Sequence, residues 1–243
     1  MSATGRGGAR EADDFYATPT WAVQAGLSML GPASPRILVR DPCCGDGAIL
    51  AVAARAGFAV CGVELDAERA SAARVNIAQI VTAELPPGPG EWPAIVTGDF
   101  LRGVKPTADA RPADTWGDVV NPPYREAEAF VYESMRDAPD FCLYLLRMAF
   151  LATSTRRDFW RDFVADVGLL VRRPSFQRSG GREGGGTDAC EYGWFAFRRR
   201  LPDERDKPTT VRRMEDYGPP KRTKKPRAPR EVLAIGTTIG TEE

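Results

Sequence analysis

Histidine is absent from all 243 residues, which removes a histidine-based catalytic triad and the commonest zinc ligand together. The five cysteines, Cys43, Cys44, Cys61, Cys142 and Cys190, are odd in number, and their one close pair is adjacent, without the spacing of a zinc or redox site. No metal is therefore expected. No apolar run approaches the roughly 18 residues that span a bilayer, so no membrane partner is expected. Residues 1–8 lack the apolar core of a secretion signal, and the expectation is a soluble, cytoplasmic chain. Net charge is missing too, with 33 Lys/Arg balancing 33 Asp/Glu. Any chemistry has to run on amides, carboxylates, backbone groups and a cofactor.

The charge balance conceals segregation, because residues 1–197, 198–230 and 231–243 carry −5, +8 and −3. A basic segment appended to an acidic body reads either as a polyanion-binding tail, with Lys221, Arg222, Lys224 and Lys225 as its contacts, or as a solvated tail. With 43% hydrophobic residues the chain suits one sizeable α/β core plus tails. The expected division is a disordered arm at 1–12, a catalytic domain at 13–197 and a disordered basic tail at 198–243.

The run Asp118-Val119-Val120-Asn121-Pro122-Pro123-Tyr124 organises the rest. Its β-branched pair predicts a short buried strand, and two consecutive prolines, which accept neither helix nor ladder, end that strand at Asn121. Ligands of an open parallel sheet bind outside the carboxyl ends of the strands, so the Asn121 side chain is delivered to that edge. The carbonyls of Asn121 and Pro122 stay outside regular structure and free to accept. An amide oxygen and a backbone carbonyl facing one small space suit a planar NH2 group, with Tyr124 near enough to lie on the ring that carries it. The plainer alternative is a strand-ending turn.

Upstream, residues 36–41 predict a strand, Pro42-Cys43-Cys44-Gly45-Asp46-Gly47 a tight loop, and Ala48 onward a helix. A second buried strand at 59–66 and a helix at 67–80 complete a βαβ unit. Glu64 falls 19 residues after Gly45, the spacing at which a carboxylate meets a ribose whose nucleoside lies over the loop. The loop lacks the Gly-Lys-Ser/Thr of a P-loop, and Leu50 stands where a dinucleotide fingerprint wants its third glycine. Asp41 and Asp46 repel a pyrophosphate and attract a sulfonium, so the pattern favours a cationic adenosine compound such as S-adenosylmethionine. A third strand from 94 ends in Asp99-Phe100, read either as adenine contacts or as a strand end with a core aromatic.

Thr18 or Thr20 is expected to cap a helix burying Trp21, Val23, Leu27 and Leu30, with the aromatics before Pro19 either stapling it or bordering a ligand. Helices are predicted over 125–138 and 150–167, and strands over 141–147, 169–173 and 192–197. The glycine-rich stretch between the last two, with Arg178 and Arg182, is either a basic loop that grips nucleic acid or a floppy hairpin tip.

These residues resemble the class I S-adenosylmethionine-dependent methyltransferases, and among them the N6-adenine DNA methyltransferases, including compact phage forms. The likeness covers roughly residues 13–197. It implies a Rossmann-like α/β fold, a doubly wound, mostly parallel sheet with an antiparallel last strand. The family's aromatic-x-Thr-Pro segment would be Tyr16, Thr18 and Pro19, contacting the cofactor. Its loop is matched by Asp41, Pro42, Gly45 and Gly47, with Cys43 and Cys44 where other small residues are common. The resemblance also implies Glu64 on the ribose, Asp99 and Phe100 on the adenine, and Asn121, Pro122, Pro123 and Tyr124 as the catalytic group. The implied reaction is methylation of adenine N6 in DNA, with no large recognition domain in the chain and hence a partner as one source of specificity. RNA adenine methylation, protein glutamine N5-methylation and an inactive cofactor-binding scaffold remain the alternatives.

Overall fold

The computed structural model describes residues 16–84, 94–106, 114–178, 190–204 and 207–214. Strands β1 (Tyr16–Ala17), β2 (Ile37–Asp41), β3 (Ala59–Glu64), β4 (Ala94–Thr97), β5 (Thr115–Val120) and β6 (Phe141–Arg147) are followed by β7 (Phe163–Leu170), β8 (Gln177–Arg178), β9 (Tyr192–Arg199) and β10 (Thr210–Met214). Helices α1 (Thr20–Leu27), α2 (Ala48–Ala56), α3 (Ala67–Glu84), α4 (Ala127–Arg136) and α5 (Arg157–Asp162) lie between them. Eight strands form one sheet in the order β10-β7-β9-β6-β5-β2-β3-β4, and β1 pairs with β8 apart from it.

The chain runs outward from β2 through β3 to β4, then returns to β5 on the other side of β2 and continues to β6. All of these neighbours are parallel, so β2 and β5 flank the point where the winding reverses. The antiparallel member is β9, which pairs with both β6 and β7.

Both faces are covered, which is why the strands read as continuous apolar runs rather than alternating ones. On one face Val39, Val60, Leu143, Leu145 and Trp194 pack with α1, α2 and α3. On the other, Tyr144, Leu146, Phe195 and Phe197 pack with Phe130 of α4 and Phe159 of α5. Trp194 locks α1 in place, because its Nε1 donates to the Ala22 carbonyl at 2.7 Å. Its ring lies so close to Gly26 that a Cβ there would stand 2.5 Å from it, so only glycine admits the approach.

Two sequence expectations are corrected. The helix over 150–167 is only α5, preceded by 3-10 turns at Met148–Leu151 and Ser154–Arg156. Phe163, Val164 and Val167 instead open β7, where burial against β9 and apolar contacts on both faces override the helical spacing. The ordered domain also does not stop at 197, since β10 pairs with β7 over five residues. Four of its five residues are exposed, two of them arginines, as suits an edge strand, and that charge made the segment look like tail. The arm at 1–12 and the tail beyond 214 lie outside the described residues.

Candidate active site

The turn after β2 is held by its own strand-end acids. The Cys43 N–H donates to Asp41 Oδ1 at 3.1 Å, and the Gly45 N–H donates to Glu64 Oε2 at 2.8 Å. Gly45 and Gly47 stand at φ of +56° and +87°, the left-handed region open to glycine. Glu64 is itself buried, accepting the Asp66 N–H at 2.9 Å and Arg69 Nε at 3.1 Å. The carboxylate at the end of β3 therefore reaches across to the glycine loop and fixes it to the neighbouring strand, a contact with the backbone that the spacing, read as reaching a ribose, does not include.

Burial pushes the Asp41 carboxyl well up from its ordinary range, with the charges of Glu64 and Asp118 adding to it against the Cys43 amide. Burial likewise raises the Cys43 and Cys44 thiols, with Asp41 next, so both stay protonated and inert as nucleophiles. The donor set suits an adenosine compound with a positive centre: acids at two adjacent strand ends, two left-handed glycines, and no lysine. It does not suit a phosphate.

At the end of β5 the chain leaves the sheet at Asn121 as expected. Asn121 and Tyr124 are half-buried, Pro122 is buried and Pro123 is exposed, so the corner opens to solvent. Asn121 Nδ2 donates to Thr18 Oγ1 at 3.0 Å, and the Tyr124 hydroxyl donates to Asn121 Oδ1 at 3.1 Å. Cys43 Sγ lies 3.7 Å from the Asn121 carbonyl, which ties the two strand ends together. The Pro122 carbonyl meets no donor among the described residues. Beside Tyr124, the Tyr192 ring lies 5.8 Å away, and Phe176 stands edge-on to Tyr192 at 5.1 Å. An aromatic wall thus borders the amide.

The N-terminal segment reaches this corner, but Thr18 does not cap α1. Pro19 occupies the cap position, and its carbonyl accepts the Ala22 and Val23 amides at 2.9 and 3.1 Å. The Thr18 hydroxyl is engaged by Asn121 instead. Tyr16 pairs through its backbone with Arg178, so β1 is clasped to the segment that follows Phe176. Arg182, Lys221, Arg222, Lys224 and Lys225 lie outside the described residues.

Asp99 sits at the carboxyl edge beyond β4, accepting the Leu101 amide at 2.9 Å. Phe100 corrects its expectation, because its ring is buried and stacked on Phe130 at 5.7 Å and 14°. Arg40 and Lys105 cover that ring at 5.1 and 4.1 Å. The ring is core and cannot lie on an adenine.

Two cationic arrangements escaped the sequence reading. Arg40, buried in β2, donates to both oxygens of Asp118 at 2.6 and 3.0 Å and to Asp137 at 2.7 Å. Lys105 extends the chain to Asp137 and Glu133 at 2.8 and 3.0 Å. The available signal was a lone charge in each of two apolar strands, which demands a partner. At the end of β6, the Arg147 guanidinium lies 4.9 Å from the Tyr124 ring centre, and its Nε donates to the Tyr192 hydroxyl at 3.0 Å. Separately, a cleft of about 390 Å³ between α2 and α3 is lined by Asp46, Arg55, Asn76 and Gln79 among others, and shares no residue with the Asn121 corner.

No protein-family model matches the chain, and no curated protein sequence matches it. Its fold does match solved structures. The methyltransferase subunit of a type I restriction-modification system from Streptococcus thermophilus has a TM-score of 0.54 at 16% identity, over 78% of this chain and 46% of that one. A modification subunit ascribed to a type I restriction enzyme of Vibrio vulnificus gives 0.51 at 15%, over 83% and 48%. The 23S rRNA methyltransferase ErmE gives 0.51 at 16%, over 77% and 70%. The chain spans about half the length of the two restriction-system subunits. With its mostly parallel eight-stranded sheet and flanking helices, the chain has the Rossmann-like class I methyltransferase fold.

Proposed function

We propose that the protein transfers a methyl group from S-adenosylmethionine to the exocyclic amino nitrogen of a nucleobase, adenine N6 in DNA. The observation that carries this is the pair of acceptors at the end of β5, Asn121 Oδ1 and the Pro122 carbonyl, at the reversal point of the sheet and joined through Cys43 to the glycine loop. Glu64, Asp41 and the loop from Pro42 to Gly47 would hold the cofactor, with Asp99 at the neighbouring strand end. When bound, the cofactor supplies an electrophilic methyl group on sulfur.

What the chain itself does follows from the chemistry of the acceptor. An adenine amino nitrogen shares its lone pair with the ring and attacks poorly. Two oxygens that hold both of its protons favour a pyramidal nitrogen and stabilise the positive charge that grows on it. Such acceptors serve best when placed beforehand, and Asn121 is held from one side by Thr18. Tyr124, backed by Tyr192 and Phe176, offers a face on which an extruded base can stack. No step requires histidine, in keeping with its absence.

DNA is supported by the likeness to two restriction-system subunits, and RNA adenine is kept as the second reading because the rRNA methyltransferase has the same TM-score as the Vibrio vulnificus subunit. A separate specificity partner is part of the same proposal. The test is incubation with methyl-labelled S-adenosylmethionine and, separately, plasmid DNA, total RNA and a glutamine-bearing protein, followed by digestion to monomers. Label is expected in N6-methyldeoxyadenosine. Label in the RNA pool would move the substrate, and label in glutamine alone would overturn the nucleobase reading.

A further inference from the structure

We infer that Thr18 is a positioning residue for the Asn121 carboxamide, in addition to any contact of its segment with the cofactor. The inference rests on the amino-nitrogen reading of Asn121 for its consequence, but on the structure for its geometry. Thr18 is 7% exposed, and its hydroxyl stands 3.0 Å from Asn121 Nδ2, across 103 residues of sequence. A buried threonine before a proline has two restraints that a surface one lacks. Pro19 excludes the helical region for residue 18 and holds it extended, and the Pro19 carbonyl anchors the first turn of α1.

That helix is in turn pinned to β9 by Trp194, through the Ala22 carbonyl on one side and Gly26 on the other. On the other side of Thr18, β1 is clasped to β8. The Thr18 hydroxyl is therefore delivered from a rigid body to the amide at the end of β5.

The consequence is chemical. An Asn amide at a strand end rotates about its last bond, which is broad and roughly two-fold. If Nδ2 is taken by Thr18, Oδ1 faces away from it, toward Tyr124 and the open corner, where a substrate NH2 group has to donate. Without the hydroxyl only the Tyr124 bond, for which an entering base competes, opposes the turn that would present a donor to a donor.

The experiment compares Thr18→Val, which keeps the shape and loses the oxygen, with Thr18→Ser, which keeps the oxygen. In nitrogen-15-labelled protein the Asn121 side-chain NH2 pair is assigned by its loss in Asn121→Asp. In Thr18→Val that pair is expected to shift and to exchange with solvent about 3- to 10-fold faster, as for one lost hydrogen bond. Thr18→Ser should restore the wild-type signal. On the labelled nucleic acid and at saturating cofactor, kcat of Thr18→Val should fall about 10- to 100-fold.

An unchanged NH2 pair in Thr18→Val overturns the inference. So does a weakened cofactor Kd with kcat intact at saturation, which would make Thr18 a cofactor contact alone. If the wild type methylates nothing while the NH2 pair responds as described, the positioning stands and the proposed function fails.

Discussion

Tyr124 donates its hydroxyl to Asn121 Oδ1 at 3.1 Å, so the acceptor assigned to the substrate amino group is engaged by the chain's own side chain. A base entering the corner shares or competes for that oxygen while using the same ring as its stacking face. The two roles separate by substitution. Tyr124→Phe removes the competitor and keeps the face, and KM for nucleic acid is expected to fall about 2- to 10-fold, the worth of one hydrogen bond. Tyr124→Ala removes the face, and KM is expected to rise about 5- to 100-fold. Steady-state kinetics on one oligonucleotide check both, and a rise in KM for the phenylalanine variant would contradict the competition.

Asn121→Ala removes one of two acceptors without touching the glycine loop. Loss of a group aimed at developing charge costs about 10²- to 10³-fold in kcat. Cofactor affinity, measured by calorimetry, should stay within a few fold. Lost cofactor binding would mean that Asn121 belongs to the cofactor pocket rather than to the reaction.

Arg40 and Asp118 lie under the same strand end, and both are almost fully buried. Taking one ion of such a pair away strands the other, at a cost of about 3–5 kcal/mol. Arg40→Met is expected to show that loss in chemical denaturation. Arg40→Met with Asp118→Leu is expected to recover most of it, because two well-packed apolar residues replace two desolvated charges. Equal losses in the single and double variants would show that the pair matters through packing alone.

What the sequence discloses about this site is the part written in local chemistry. A proline pair ends β5 at Asn121, and two glycines and two acids mark the turn after β2, all legible because each acts on its own neighbours. The Thr18 to Asn121 bond spans 103 residues and has no local signature, so Thr18 reads as a helix cap. Phe100 fails for a related reason. Strand-end aromatics look alike until α4 supplies Phe130, and burial then depends on a partner 30 residues away. The run 163–167 reads as helix by its apolar spacing, and pairing with β9, which has no local signature, makes it strand.

Asp41 makes the stability of the loop depend on pH in a defined direction. Its folded carboxyl is raised by burial above the ordinary value of 3.8. Protonation therefore favours the folded form, and this contribution is fully present below the unfolded pKa and is lost as pH rises through the raised folded pKa. Asp41→Asn mimics the protonated carboxyl and still offers an oxygen to the Cys43 amide. It is expected to be more stable than wild type at neutral pH, with the gap closing toward acid pH. Thermal melts across pH check the sign, and a gap that widens on acidification would show that the Asp41 charge is compensated in the fold.

The C-terminal part of the chain can be divided at two places with different consequences. Cutting after residue 197 removes Arg198 and Arg199 from the end of β9 and all of β10, whose five residues pair with β7 and whose Met214 fills the space over Gly168. That truncation is expected to lower the melting temperature measurably. Cutting after Met214 leaves every described strand in place and removes six lysines and arginines between 217 and 230. If those cations meet phosphates, the slope of log K against log salt should fall in magnitude by up to about 5, close to one unit per neutralised phosphate. Filter binding over a range of salt gives the slope directly. The same slope in both proteins would assign nucleic-acid contact to the folded body, with the Arg147 edge beside Tyr124 as the next place to substitute.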